Sequence, residues 1–274
     1  MRAPEAGRYR GGVPLDDFAA VDAASERDGG ADHLVAMMHA TDAWPAVREL
    51  REWVLTITGV GPASRVLDVG SGPGTFSRLA TGRGARTVDV DPSAVMLDAV
   101  RAERPGAAVV RASVGHLPFR PAPGPGVLVR VERLLQWTDE PGAALRELWR
   151  IVPQGGWLAV TDTDWGHFTV EHDADAVSAR MAAAAGRWVR HPRLATELPA
   201  RIWHLGATAV EHRTDVVVID RWDPDDPTQH AGPPGLPLRS IAPDLPADVD
   251  ALAAAARAGR FRATLDLVTV VGRR

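Results

Sequence analysis

The 274-residue chain is 45% hydrophobic and 24% charged with a formal net charge of −4. That length can bury a full core, and no basic run of the kind a nucleic-acid surface needs is present. All 31 Lys+Arg positions are arginine and cysteine is absent, which excludes lysine Schiff bases, cysteine nucleophiles, disulfides and thiolate metal sites.

In chain order, the first dozen residues are rich in Gly, Pro and Arg and read as a loose terminus. The start, MRAPEAGRYRGGVPLDDF, has no apolar signal core. No stretch approaches the roughly 18–20 apolar residues of a membrane helix, so a cytoplasmic protein without membrane partners is expected. From Leu15 to Ile57 apolar residues recur at helical spacing and predict two or three helices, with Pro45 near the start of the last. The pattern then changes to strands alternating with helices: 65–69, helix 75–80, strand 86–90, helix 92–103, strands 107–111 and 126–131, helix 140–152 and strand 157–161. Such alternation predicts a parallel sheet with helices on both faces. Helices are expected at 173–189 and 193–205, and β-rich runs at 209–219 and 261–271. Between those runs, Trp222 to Pro246 holds seven prolines. A structureless segment of that length is unusual unless it works as a lid. The organisation expected is a helical cap (1–60), an α/β core (61–220), a Pro-rich lid (221–260) and a final core strand (261–274).

The chemistry concentrates in Val66-Leu67-Asp68-Val69-Gly70-Ser71-Gly72-Pro73-Gly74-Thr75-Phe76, which reads as strand, glycine-rich turn and helix start. Glycines there admit φ > 0 and let a ligand approach the backbone. A dinucleotide fingerprint would place its third glycine at position 75. Here it is Gly74, giving G-x-G-x-G, which disfavours a bound pyrophosphate. One strand later, Thr87-Val88-Asp89-Val90-Asp91-Pro92 puts Asp91 where a carboxylate can accept two hydrogen bonds from a ribose diol. Asp89 shares its face and is the weaker candidate.

With VDVDPSAVML, RASVGHLPF and RVERLLQWTDEPGAALRELWRIVPQGGWLAVTDTDW added, the chain resembles the class I S-adenosylmethionine (SAM)-dependent methyltransferases, in the branch similar to the ubiquinone/menaquinone-biosynthesis enzymes and their natural-product relatives. The resemblance implies a Rossmann-like sheet, mostly parallel with an antiparallel last strand. It also implies SAM as cofactor, S-adenosylhomocysteine (SAH) as product and a small-molecule substrate, with secondary metabolism the expected setting. Residue by residue, it implies that Gly70, Ser71 and Gly72 line the methionyl part, with Asp68 beneath the amino group. Asp91, followed by Pro92, holds the ribose, Met96 packs on adenine, and Ser113 and Val114 meet the adenine edge. Backbone at Arg130 or Val131 accepts from the ammonium. Ser113 departs from the acid usual there, which lowers the expected affinity.

Methyl transfer from a sulfonium needs alignment and exclusion of water first, and a general base for some acceptors. Tyr9 sits in the loose terminus, so His39 in the cap helices and His167 after the fifth strand are the candidate bases. Either is also compatible with a solvated or structurally bonded histidine. Asp162, Asp164, His167 and His172 suggest a metal only weakly, because the fourth strand offers just Glu132, and no metal is expected. Nine tryptophans beside one tyrosine favour an apolar, aromatic-lined pocket, with Trp44, Trp137, Trp165, Trp188 and Trp222 placed near its mouth. Two other readings stay open: a SAM-binding cyclase on the same fold, and a non-catalytic SAM-fold partner protein.

Overall fold

A computed structural model describes residues 30–121 and 126–274. The first dozen residues, Tyr9 among them, and the start of the expected helical cap lie outside the described residues.

Seven strands form one mixed sheet in the order β3-β2-β1-β4-β5-β7-β6. These are β1 (Arg65–Val69), β2 (Arg86–Asp91), β3 (Ala108–Arg111), β4 (Val127–Glu132), β5 (Trp157–Val170), β6 (Ala209–Ile219) and β7 (Ala263–Arg273). β1 to β5 pair in parallel, while β7 runs antiparallel to both β5 and β6. The valine-rich β1 and β4 are central because helices cover both faces, a burial that parallel pairing requires.

The helices are α1 (Gly30–Asp42), α2 (Pro45–Ile57), α3 (Thr75–Gly82), α4 (Ala94–Glu103), α5 (Pro141–Ile151), α6 (Asp175–Trp188), α7 (Leu194–His204), α8 (Leu238–Ile241) and α9 (Pro246–Arg257). On one face Val54 and Leu55 of α2 and Phe76 and Ala80 of α3 pack on Val66 and Leu128. On the other, Leu145 and Leu148 of α5 and Leu198 and Ile202 of α7 pack on Val129, Val131 and Val270. Each fully buried Leu, Ile or Phe contributes roughly 1.5–3 kcal/mol.

Two elements differ from their sequence reading. β5 continues nine residues past Thr161, because β7 stays paired with it through a register shift between Asp164 and Thr169. Its outer half delivers Trp165 and Phe168 to a third core, shared with α6, α8 and α9. The Pro-rich segment is not structureless. It holds a short 3-10 turn at Pro227–Gln229 and α8, and Leu236, Leu238 and Ile241 anchor it in that same core. Among the described residues no helix is long and apolar enough to cross a membrane.

Candidate active site

β1 and β4 are neighbours in the sheet but not in sequence, and the chain leaves them in opposite directions. In open α/β sheets that switch point, at the carboxyl ends of the strands, is where ligands bind. A cavity of about 300 Å³ opens there.

One side is built by the glycine turn. Gly70 and Ser71 donate to the Val90 carbonyl at 2.7 and 3.0 Å, pinning the turn to β2. Gly70 has φ +67°, and a Cβ on it would stand 2.8 Å from Leu134 Cδ2, so only glycine lets the β4 turn press so close. Gly72 has φ +54°, and a Cβ there would project into open space. Asp91 ends β2 with one oxygen accepting from Gly72 N at 3.0 Å and the other from Ser93 N at 2.9 Å. These bonds fix the carboxylate at the end of β2. Ser93 caps α4 by accepting from Met96 N, which brings Met96 to the same wall.

The floor is ionic and was not read from the sequence. β4 is buried along its whole length, yet it carries Arg130 and Glu132. Arg130 donates to Asp68 Oδ1 at 2.7 Å and to Glu132, and lies 4.2 Å over the Phe76 ring. Arg51 of α2 donates to Glu132 at 3.0 and 2.6 Å and to Asp42 of α1 at 2.6 Å. Arg133 reaches Asp42 at 2.7 Å and Glu132 at 3.1 Å. Burial alone would raise the Glu132 carboxyl, but Arg130, Arg51 and Arg133 overcome it and hold the group far below its ordinary range. Asp42 is lowered in the same way, with Arg51 and Arg133 outweighing its burial. At Asp68 burial wins over Arg130 and pushes the carboxyl up to about 6.

The remaining wall is apolar. Leu34, Met37 and Met38 of α1 face it, along the stripe that helical spacing produces. Trp44, Trp137, Trp165 and Trp188 complete it. Trp188 stands edge-on to Trp137 and Trp165, with ring centroids 5.1 and 4.9 Å apart. Gln136 fixes Trp165 by accepting its indole N–H at 2.8 Å. Asp162, fully buried, accepts from Gln136 N at 2.9 Å, and burial pushes its carboxyl up to about 8. Trp222 is not part of this wall; it packs on Phe261, 5.3 Å between centroids.

Residues 67–160 match a family model described as a methyltransferase domain. Over that stretch the chain is similar to the class I SAM-dependent methyltransferases. Over 137 residues it is 31% identical to a malonyl-[acyl-carrier protein] O-methyltransferase of Pseudescherichia vulneris, covering 50% of this chain and 54% of that protein. A demethylmenaquinone methyltransferase of Renibacterium salmoninarum is 33% identical over 115 residues, covering 42% of this chain and 48% of that protein. The chain thus spans about half the length of these curated relatives. The fold is shared with Haemonchus contortus phosphoethanolamine N-methyltransferase 2, solved with SAM, at TM-score 0.57 and 16% identity, covering 96% of this chain and 60% of that one.

Of the residues that the methyltransferase resemblance assigned to SAM, Gly70, Ser71, Gly72, Asp91, Pro92, Met96 and Arg130 line the cavity. Asp68, Ser113, Val114 and Val131 are buried outside its lining. Ser113 Oγ accepts from Gly115 N at 3.2 Å, and Val114 packs in the core beneath. The candidate bases stand elsewhere. His39 is off the apolar stripe of α1 and pairs with Glu103 of α4 at 2.9 Å. His167 sits on the exposed outer part of β5, with Nδ1 2.7 Å from Asp164. Neither lines the cavity, and His172 accepts from Ala174 N.

The residues fit SAM on two observations. Asp68 Oδ2 is buried without a partner among the described residues, as an oxygen awaiting a donor would be, and Gly72 keeps clear the space a nucleoside would cross.

Proposed function

We propose that the protein transfers the methyl group of SAM to an apolar, aromatic-bearing small molecule in secondary metabolism. The observation that carries this is that one cavity joins the Gly70–Gly72 and Asp91 wall to the tryptophan wall across an ionic floor. When bound, SAM supplies an electrophilic methyl group on a sulfonium. The chain's part is to place and dry it. Asp91, immobilised by two backbone amides, would take the ribose hydroxyls, and Asp68 would face the methionyl ammonium. Trp137, Trp165 and Trp188 form a rigid apolar wall that excludes water and holds an acceptor flat, the alignment that in-line transfer requires.

Among the described residues lining the cavity, no histidine or tyrosine is available as a base. Asp42 and Glu132 are held ionised by guanidiniums and are weak bases for that reason. The acceptor therefore arrives nucleophilic: an amine, a carboxylate or an acidic enol or phenol. The relative named as an O-methyltransferase is compatible with the oxygen members of that set.

Calorimetric titration with SAM and SAH tests the cofactor half. Micromolar binding to the wild type, weakened at least about tenfold in Asp91→Ala, is expected. Absence of binding to the wild type would overturn the proposal. The missing base also favours a second reading, in which bound SAM acts only electrostatically in a cyclisation; recovery of SAH and methylated product would remove it.

A further inference from the structure

We infer that Arg133 binds the carboxylate of the methionyl group of SAM, an inference that rests on the cofactor reading above. Three guanidiniums border the floor, and they differ in what they have left to give. Arg51 places its Nε and Nη2 on Glu132 and Asp42, and its side chain is 5% exposed. Arg130 has both terminal nitrogens engaged, by Asp68 and Glu132, and is equally enclosed. Arg133 makes both of its ion pairs through the single nitrogen Nη2 and is 17% exposed. Its Nη1 and Nε have no partner among the described residues, and the side chain lines the cavity. Held through Nη2, the guanidinium keeps both N–H bonds of Nη1 for a charge-assisted hydrogen bond to a carboxylate oxygen.

The backbone points the same way. Arg133 is the one non-glycine with positive φ among the described residues, at +56°, a conformation uncommon for a residue with a Cβ. Two contacts hold it there: its amide donates to the Thr161 carbonyl at 2.7 Å, and the next residue, Leu134, closes on Gly70. The turn therefore sets the guanidinium beside the glycines over which the methionyl group would lie. The floor is also balanced in charge: Asp42, Glu132 and ionised Asp68 against Arg51, Arg130 and Arg133. It can accept a zwitterion, ammonium toward Asp68 and carboxylate toward Arg133, without leaving a net buried charge.

The test titrates the full chain with SAM and with decarboxylated SAM, which lacks only the carboxylate, for the wild type, Arg133→Gln and Arg133→Lys. The wild type is expected to prefer SAM by about 10- to 100-fold, the range of a charged hydrogen-bond pair. Arg133→Gln should bind the two ligands within about threefold of each other by losing affinity for SAM alone, and Arg133→Lys should keep part of the preference as a point charge. Full discrimination retained in a folded Arg133→Gln would overturn the inference. So would a wild type that binds both ligands equally, a result that needs no variant. A wild type that binds neither ligand would instead overturn the cofactor reading, and this one with it.

Discussion

Glu132 shows how a residue that looks misplaced in sequence becomes sensible in the fold. A carboxylate in a central parallel strand is costly unless it is paired and hydrogen-bonded, and here three arginines, from α2, β4 and the turn after β4, meet it. Replacing one partner strands the others. Arg51→Met should therefore cost about 3–5 kcal/mol, the range for breaking a buried pair, read as a lowered urea midpoint. Asp68 makes a different prediction, about ligand. Its carboxyl stands near 6 in the fold, and an ammonium would prefer it ionised. SAM affinity should then be flat above about pH 6 and fall by up to about tenfold per unit below it, a dependence lost in Asp68→Asn. Calorimetry at pH 5 and pH 7.5 would check it.

At the scale of elements, the cap and the Pro-rich segment act together. Trp44, between α1 and α2, donates its indole N–H to the Pro234 carbonyl at 3.2 Å, so two segments nearly 200 residues apart roof the cavity. Asp42 ties the end of α1 to Arg51 and Arg133 of the floor. Asp42→Asn removes that charge and should loosen α1 without unfolding the sheet. Hydrogen exchange of the α1 amides is expected to quicken by about tenfold or more, the equivalent of roughly 1.4 kcal/mol of lost local stability, while those of β1 and β4 stay protected. The helix was foreseeable from the spacing of Leu34, Met37 and Met38. The latch was not, because Trp44 and Pro234 share no local pattern. The same limit applies to His39: its residue type suggested a base, but its angular position on α1 turns it toward Glu103.

For the whole molecule, the buried carboxylates oppose one another in their pH dependence. Asp42 and Glu132 lie below their ordinary range, so the stability they bring is present above the unfolded value near 4 and lost as pH falls through their folded values. Asp162, raised to about 8, contributes most below the unfolded value, and that contribution is lost as pH rises toward 8. Unfolding free energy should therefore decline between about pH 4 and 8 by up to about 1.4 kcal/mol per unit from Asp162. The decline should be flatter in Asp162→Asn, as urea denaturation at pH 5 and 8 would show.

The sequence by itself determined what depends on neighbours along the chain. Strand and helix alternation, the G-x-G-x-G turn and the aspartate closing the second strand each rest on local backbone geometry and side-chain period, and they led to the sheet and to one wall of the cavity. The absence of lysine and cysteine also follows from composition alone. Tertiary structure decided what depends on distant segments meeting. β5 runs on because β7 pairs with it, and the Pro-rich segment orders because Leu236, Leu238 and Ile241 find a core. The ionic floor exists because Asp42, Arg51, Asp68, the β4 charges and Arg133 converge from segments as much as 91 residues apart. An ion pair is set by distance in space, and no periodicity along the chain records it.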